Sequence, residues 1–376
     1  MKFEISRDGA LKQLDAFINS ELTNYSFKRN FDLGPKNKSN VSCLSPYISH
    51  RLITEYEVAK TVLAKFPYQK VEKYIQEIFW RVYWKGWLEL RPQVWTDFIE
   101  DLKGLKEDEN YKKAINGETQ IECFNDWVKE LKDNNYLHNH TRMWFASIWI
   151  FTLNLPWQKG AEFFMKHLYD GDAASNTLSW RWVAGLQTKG KHYVAQSWNI
   201  SKFTNNKYKN IKLNENALPI TDKREYKFNQ NNFIYEDNSN EDLIFFDNEL
   251  NLENQNLKKY NNIYLIFLSN NVRKLKLEKK VLDYKTQIIN DQKKRLERLQ
   301  IIDELKFQTL IEKNSSFDVV YSCVGENYSY LNNLRKKKNL NLNFILREED
   351  KFSWQFCNKG YFNFKNNIPK IQAKFI

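Results

Sequence analysis

The sequence has few of the residues that build metal centres and disulfide frameworks. It contains four cysteines, and these lie far apart at Cys43, Cys123, Cys323 and Cys357. None forms a Cys-x-x-Cys pair, and none has a histidine at ligand spacing. Zinc sites and iron–sulfur clusters need clustered ligands, and disulfide frameworks need closely spaced cysteines. We therefore expect no metal and no disulfide framework.

Long apolar stretches are also missing. No segment approaches the roughly 18 consecutive apolar residues that a membrane-spanning helix needs. The opening segment, MKFEISRDGALKQL, lacks the apolar core of a secretory signal. These absences predict a soluble, cytoplasmic protein without a membrane partner.

Aromatic and basic residues are abundant instead. Phe, Trp and Tyr make up 15% of a chain that is only 42% hydrophobic, and such rings fill cores or line sites for flat ligands. The 58 lysines and arginines exceed the 46 acidic residues and give a formal charge of +12. This charge favours a polyanionic partner such as nucleic acid. A genome that biases the composition towards Lys and Asn explains the charge equally well.

Hydrophobic periodicity divides the 376 residues into unlike parts. In residues 1–205 apolar side chains recur at helical spacing, which predicts a helical domain. Residues 206–260 are polar and Asn-rich and predict a linker. In residues 261–376 three apolar runs, NIYLIFLSN, FDVVYSCV and NLNFILR, alternate with helical segments, one of them expected over about residues 286–313. That alternation predicts a small parallel α/β domain.

Two segments of the helical part combine polar and aromatic residues. In VEKYIQEIFWRVYW, residues Glu77, Trp80, Arg81 and Trp84 are three and four apart and share one helix face. Residues 136–193 contain five tryptophans and the polar residues Asn139, Arg142, Asp170, Asp172 and Asn176. Taken alone, these tryptophans are core residues, and Asp170-Gly171-Asp172 is a surface turn that ends a helix with Gly171 in a left-handed cap.

Taken together, the motifs resemble the flavin-binding domain of the photolyase and cryptochrome family. The family pattern stands here as His138-Asn139, Arg142-Met143, Asp170-Gly171-Asp172, Asn176 and Trp180-Arg181-Trp182. SNVSCLSPYISHRL (39–52) resembles the family's phosphate loop, and QEIFWRVYW (76–84) resembles its Glu-x-x-Trp-Arg-x-x-Tyr helix. The resemblance implies an α+β protein. Its mostly α-helical, photolyase-type FAD-binding domain would be followed by a small, Rossmann-like α/β C-terminal domain.

For the cofactor, the resemblance implies FAD. The loop residues Ser42, Cys43, Leu44 and Ser45 would hold the diphosphate at a helix N-terminus, although Val41 replaces a family threonine there. Tyr25 would touch the phosphates, or it is an ordinary packing aromatic. Near the isoalloxazine ring, the resemblance implies an ion pair of Arg142 with Asp170, a contact to the adenosine or the ring edge from Asp172, and Asn176 opposite flavin N5.

For the substrate, the resemblance implies a cyclobutane pyrimidine dimer flipped out of DNA. Glu77 would hydrogen-bond the dimer, Trp80 and Trp182 would flank it, and Asn139 and Met143 would contact it. The (6-4) branch of the family has histidines at those last two positions. The resemblance therefore favours the cyclobutane dimer.

An electron-transfer chain is only partly visible. Trp180 matches the ring nearest the flavin and Trp157 the middle ring, whereas Gly104 stands at the position of the distal tryptophan. Trp149, Trp95 and Tyr83 are candidates for a different terminal donor.

The function that follows is light-driven repair of pyrimidine dimers by electron transfer from reduced FAD, the activity of a deoxyribodipyrimidine photolyase. Flipping costs least in single strands, which favours single-stranded DNA. Arg29, Arg51 and Lys202 would hold DNA phosphates, and we expect a monomer. The alternative is a cryptochrome-like FAD photoreceptor that signals through a protein partner. We expect a short relative of the family that lacks its N-terminal antenna domain. The C-terminal unit either resembles a relocated antenna domain or covers an exposed side of the helical half.

Overall fold

The structure is a computed structural model that describes residues 3–188, 190–228, 240–253 and 255–376. The first part is helical, as the periodicity predicts. Its helices are α1 (Arg7–Ser20), α2 (Tyr25–Lys28), α3 (Ser45–Ile48), α4 (Glu55–Lys65), α5 (Tyr68–Glu89), α6 (Gln93–Lys103), α7 (Glu109–Asn116), α8 (Glu122–Asn134), α9 (Asn139–Ser147), α10 (Trp157–His167), α11 (Ala173–Ala184) and α12 (Ser197–Phe203). A π-helical turn, Ile148–Thr152, extends α9.

Local sequence explains where several of these helices begin and end. A capping box starts α4, because Thr54 accepts from the Glu57 N–H and the Glu57 side chain accepts from the Thr54 N–H. Asp172 caps α11 by accepting from the Ser175 N–H, and Gly185 ends that helix at φ 89°. The left-handed cap expected at Gly171 is wrong, because α10 already ends at His167 and the extended Leu168 follows it.

The second part is the small α/β unit. Within the described residues, five parallel strands form its sheet, with β1 (Asp242–Phe246), β2 (Asn262–Ile266), β3 (Leu299–Ile302), β4 (Ser316–Val320) and β5 (Asn341–Ile345). Their order, β3-β2-β1-β4-β5, is doubly wound and confirms the Rossmann-like prediction. Its helices are α13 (Lys279–Arg295), α14 (Glu304–Lys313) and α15 (Glu326–Lys338).

Two sequence-based boundaries in this unit are wrong. The linker does not extend to residue 260, because DLIFF forms β1 in the centre of the sheet, where Leu243 lies opposite both Ile263 and Asp318. This apolar run is short and lies between Asn-rich segments, so the sequence pattern does not predict a strand there. The helix expected over 286–313 is two helices, because the four-residue β3 interrupts it and pairs with β2.

The chain then returns to the helical part through α16 (Glu348–Trp354), α17 (Tyr361–Lys365) and α18 (Ile368–Phe375). Helices α16 and α17 lie along α5, and α18 packs against α16. A Cβ on Gly86 would come within 2.6 Å of Cys357 Sγ and of Trp354, so only glycine permits this close approach. The Tyr361 hydroxyl donates to the Gln76 carbonyl at 2.7 Å.

Buried ion pairs join the two parts. Arg51 Nη1 lies 2.6 Å from Asp350 Oδ2, and Arg51 Nε lies 3.4 Å from Glu249 Oε1. Arg347 Nε contacts the other oxygen of Glu249 at 3.0 Å. The Arg51 side chain is 2% exposed, which contradicts its predicted role as a surface residue for DNA phosphates. Burial of so many charges is tolerated because each has a partner of opposite sign.

Two kinds of feature are absent from the residues that the structure describes. Among those residues no helix has both the length and the apolar character that crossing a membrane requires. The same residues contain no group of three or more His, Cys, Asp or Glu side chains placed to hold a metal ion.

Candidate functional site

Three helices carry most of the predicted site. Glu77, Trp80 and Arg81 lie on α5, Arg142 lies on α9, and Asn176 lies on α11. Helix α11 packs against both α5 and α9. The fold therefore brings the predicted substrate helix and the predicted flavin helices to a common junction.

The predicted ion pair of Arg142 and Asp170 is present. Arg142 Nη2 lies 2.9 Å from Asp170 Oδ2, and Arg142 Nε donates to the Leu137 carbonyl at 2.9 Å. The Asp170 side chain is 1% exposed, whereas that of Arg142 is 22% exposed. The pair thus has a buried anionic end and a cationic end that reaches accessible space.

The carboxylate of Asp172 contacts two partners. Oδ1 accepts from the Ser175 N–H at 2.8 Å and caps α11, and Oδ2 lies 2.7 Å from Arg81 Nη2 on α5. Burial alone would raise the pKa of Asp172, but Arg81, Lys85 and the Ser175 donors outweigh it and hold the pKa below its usual value. The carboxylate is therefore ionised at neutral pH. Its predicted contact with the adenosine or the ring edge stays a prediction.

Asn176 and Trp180 follow Asp172 at four-residue intervals and share its face of α11. The Asn176 amide donates to the Ala161 carbonyl at 2.9 Å, and the residue is 8% exposed. This bond fixes the rotamer of the side chain. Trp180 is 2% exposed and packs among aromatic rings. The roles of both residues towards the flavin stay predictions.

The predicted phosphate loop precedes the one-turn helix α3. Cys43 is left-handed at φ 51°, and Leu44 and Ser45 follow at the start of the helix. The Ser42 carbonyl accepts from Gln13, which ties the loop to α1. Tyr25 packs edge-on against Tyr74 at 5.0 Å, and its contact with phosphates stays a prediction.

The residues present fit FAD. Asp170 Oδ1 and the indole N–H of Trp180 are buried and, within the described part of the chain, have no hydrogen-bond partner. A bound polar ligand could supply these missing partners. The exposed end of Arg142 offers a cation to a flavin, and the loop at Ser42 and Ser45 offers hydroxyls to a diphosphate.

Glu77 lies in a basic setting. Its Oε1 is 3.0 Å from Lys73 Nζ and 3.6 Å from Arg29 Nη1, and its side chain is 23% exposed. The carboxylate therefore lies at the surface of the junction rather than in the core. Arg29 lies beside this carboxylate, and its expected contact with DNA phosphates stays a prediction.

Trp80 is partly covered by the chain's own C-terminal segment. Its ring stacks on Tyr361 with centroids 3.4 Å apart and planes 9° apart. Trp182, the other ring predicted to flank the substrate, is stacked on Tyr193 at 5.9 Å. Each predicted substrate ring thus has an aromatic neighbour on one face.

Asn139 and Met143 begin successive turns of α9 and share one of its faces. Asn139 is exposed and Met143 is half-buried. Their side chains are thus accessible, as contact with a substrate requires. His138, next to Asn139, is buried and caps the helix by accepting from the His140 N–H at 3.2 Å.

The rings predicted to form an electron-transfer chain pack against different neighbours, and their role in electron transfer stays a prediction. Trp157 stacks on Phe98 at 5.5 Å, and no ring contact among the described residues joins Trp157 to Trp180. Trp180 instead meets Trp149 at 6.2 Å. Gly104 ends α6, with only the Asp101 carbonyl near its Cβ position.

Sequence reasoning missed three residues of this site. Arg81 was placed on the α5 face but given no role, although a lone arginine one turn after Glu77 is a signal for a carboxylate partner. Tyr361 and Tyr193 gave no such signal, because their contacts with Trp80 and Trp182 arise only from tertiary packing.

The helical part of the chain is similar to known proteins. Residues 74–219 match the family model of the FAD binding domain of DNA photolyase. A deoxyribodipyrimidine photo-lyase of Agrobacterium fabrum is 29% identical over 184 residues, which are 47% of this chain and 38% of that protein.

Solved structures with similarity include a bacterial class III photolyase from Agrobacterium tumefaciens and a cryptochrome from Synechocystis. The photolyase is 26% identical, with a TM-score of 0.45 over 53% of this chain and 42% of the other. The cryptochrome is 20% identical, with a TM-score of 0.48 over 53% of this chain and 43% of the other. The chain thus spans less than half of the length of each of these relatives.

Proposed function

Because the helical part of this chain carries the FAD-binding domain of the photolyase and cryptochrome family, we propose that the protein repairs cyclobutane pyrimidine dimers in DNA with light. The reaction class would be that of a carbon–carbon lyase. DNA that contains the dimers would be the substrate, and FAD is the cofactor of the domain.

The ion pair of Arg81 with Asp172 carries this proposal. It connects α5, which bears Glu77 and Trp80, to the first turn of α11, which bears Asn176. A substrate held by α5 and a flavin held by α11 would therefore keep a fixed separation. Short and constant separation is what electron transfer between two bound molecules requires.

When bound and reduced, FAD supplies the electron that splits the cyclobutane ring. The residues of the chain would bind and orient the flavin and the dimer. Arg142 and Asp170 would place a pair of opposite charges beside the isoalloxazine ring, and the neutral amide of Asn176 would add no charge there. Trp80 and Trp182 would stack on the flipped bases, which is worth about 1 to 3 kcal/mol per base. Glu77, Asn139 and Met143 would contact the bases from the two helices.

A repair assay tests the proposal directly. Protein loaded with FAD and reduced with dithionite is mixed with oligonucleotides that contain one thymine dimer, single-stranded or double-stranded, in blue light and in darkness. We expect restored thymines only in light, with faster repair of the single strand because flipping costs less there. A chain that binds FAD but leaves both substrates unrepaired in light would contradict the proposal.

The second candidate is a cryptochrome-like photoreceptor, and the stack of Tyr361 on Trp80 favours it. A ring of the C-terminal segment would then report a change at the flavin to a partner protein. In that case light should increase hydrogen exchange in Tyr361–Lys365 without any repair. Tyr361→Ala should abolish this response, whereas Phe362→Ala, at an exposed position of the same helix, should retain it.

A further inference from the structure

Three oxidisable rings form a continuous path from the predicted flavin pocket to the surface. Trp180 meets Trp149 with centroids 6.2 Å apart at 84°. Trp149 meets Tyr111 at 5.9 Å and 86°. In edge-to-face contacts at these distances the ring edges nearly touch. Electron tunnelling slows steeply with edge-to-edge distance, so each step along this path is short.

Gly160 makes the first contact possible. A Cβ at this position of α10 would lie 2.2 Å from Trp180 Cη2 and 3.0 Å from Trp149 Nε1. Any side chain there would push the two rings apart. The glycine has a right-handed helical backbone, so a demand for left-handed conformation does not explain it. The close approach of the two rings explains why a glycine is at this position.

Tyr111 is the most exposed of the three rings. Trp149 is fully buried and Trp180 is 2% exposed, whereas Tyr111 is 8% exposed. The Trp149 indole N–H donates to the Pro156 carbonyl at 2.9 Å, and a carbonyl is too weak a base to remove its proton. Oxidised Trp149 would therefore keep its proton and pass the positive charge on. Because Tyr111 is the most exposed ring of the path, a proton lost there has the shortest way to solvent.

The charges near Tyr111 favour oxidation there. Lys159 Nζ lies 5.5 Å from the ring, but it is paired with Glu107 at 2.8 Å and with Glu162 at 2.9 Å. The group as a whole is negative. Burial and Glu107 raise the pKa of Tyr111 to about 12, so the phenol is neutral until it is oxidised.

The surroundings of Trp157 are less favourable. The Arg181 guanidinium lies 5.9 Å from its ring, and a permanent positive charge opposes the formation of a second one. Beyond Trp157 the next ring is Phe98, which is much harder to oxidise than tryptophan. Trp95 lies behind that phenylalanine at 5.5 Å.

We propose that Trp149 and Tyr111 replace the incomplete tryptophan chain and deliver the electron that reduces oxidised FAD in light. One electron passes from Tyr111 through Trp149 and Trp180 to photoexcited, oxidised FAD. Oxidised Tyr111 releases its phenolic proton to water or to Glu107 and becomes a neutral tyrosyl radical. An external thiol then reduces that radical. The inference rests on the proposed binding of FAD beside Trp180, but not on repair.

The test compares single variants of the full chain loaded with oxidised FAD. Electron paramagnetic resonance under blue light measures the tyrosyl radical, and flavin absorbance measures photoreduction. Trp149→Phe should remove the radical signal and slow photoreduction at least tenfold. Tyr111→Phe should remove the tyrosyl signal and leave a short-lived tryptophan radical. Gly160→Ala should slow photoreduction by separating the rings.

Two further variants make the result decisive. Trp127→Phe loses the same volume at a buried ring of α8 and is the control for packing. Trp157→Phe should slow photoreduction less than twofold. If Trp157→Phe removes the radical and Trp149→Phe does not, the path through Trp149 is wrong.

Failure of this path and failure of the proposed function are distinguishable. Dithionite-reduced Trp149→Phe should repair dimers at the wild-type rate, because the chain of rings is then not needed. Wild-type photoreduction in Trp149→Phe, together with normal repair, would overturn only this inference. Photoreduction through Trp149 without any repair would overturn only the proposed repair function.

Discussion

Glu77 is the residue on which the proposed substrate chemistry depends most directly. Lys73 and Arg29 lie beside its carboxylate, so a ligand that approaches Glu77 meets two cations as well. Such a setting suits a substrate that joins hydrogen-bonding bases to an anionic backbone. The carboxylate would accept hydrogen bonds from the bases, and the cations would lie near the phosphates.

Replacing Glu77 separates binding of the substrate from binding of the cofactor. We expect Glu77→Gln to lower dimer repair by the reduced protein roughly tenfold, which corresponds to the loss of about 1.4 kcal/mol of stabilisation. FAD content should stay at the wild-type value, because the proposed contact of Glu77 is with the substrate and not with the flavin. Repair kinetics and flavin absorbance measure the two effects. Glu72→Gln, on the same helix, is the matched control.

A parallel loss of flavin and repair in Glu77→Gln would contradict this assignment. It would mean that the ion pairs with Lys73 and Arg29 hold the fold rather than the substrate. Circular dichroism of Glu77→Gln and Glu72→Gln would then show a difference in helix content.

At the scale of helices, α10 has two opposite effects on the protonation of its last residue. His167 is its last residue, and a helix C-terminus favours a protonated histidine by about 0.3 to 1 kcal/mol. Burial opposes protonation more strongly, and nearby Lys166 and Lys132 add to it, so the pKa of His167 falls to about 4. Its ring instead packs edge-on against Phe163 at 4.7 Å.

This buried, neutral histidine makes stability depend on pH. In the unfolded chain a histidine has a pKa near 6.5. Below that pH the unfolded state therefore binds a proton at this residue, whereas the folded state does not. The stabilisation is complete above about pH 6.5 and is lost as pH falls towards 4. From pH 7 to pH 5 His167 alone should cost about 1 to 2 kcal/mol.

Urea unfolding of the wild type and His167→Gln at pH 7 and pH 5 measures this contribution. The free energy of unfolding of the variant should fall less between the two pH values. Equal pH dependence in both proteins would show that His167 is not a source of acid sensitivity.

The sequence predicts some elements of the fold better than others. Runs such as FDVVYSCV revealed β4 because a short apolar segment between turns is a strong strand signal. The four residues of β3 lie among charged residues and left no signal of their own. The pairing of Arg142 with Asp170 followed from the motif. The stack of Trp80 on Tyr361 did not, because no local pattern encodes a contact between distant segments.

The whole molecule is held together by charges as well as by its core. Arg51, Glu249, Asp350 and Arg347 form a buried network that includes both parts of the chain. Glu89 at the end of α5 extends the interface, because it accepts from the Tyr321 hydroxyl at 2.7 Å and from the Val324 N–H at 2.6 Å. The α/β unit therefore covers polar groups of the helical part, not only apolar ones.

Removing Glu249 tests this coupling. Glu249→Ala leaves two buried arginines without one of their partners, so we expect a loss of roughly 3 to 5 kcal/mol in the free energy of unfolding. Asp15→Ala removes the partner of Lys65 in an exposed pair and should cost at most about 1 kcal/mol. Urea unfolding followed by tryptophan fluorescence and by circular dichroism measures both.

Coincident transitions by the two probes would show that both parts unfold together. Two separate transitions in the wild type, with Glu249→Ala affecting only one, would contradict the coupling.

The same network sets an order of events during synthesis. A ribosome adds about 5 to 20 residues per second, so Arg51 emerges roughly 10 to 40 s before Glu249, and Asp350 follows later still. During that interval its guanidinium has neither carboxylate and must stay hydrated. We expect the nascent helical part to remain loosely packed around Arg51 until translation has passed β1 and α16. Chaperones that bind incompletely packed helices would meet this chain during that interval.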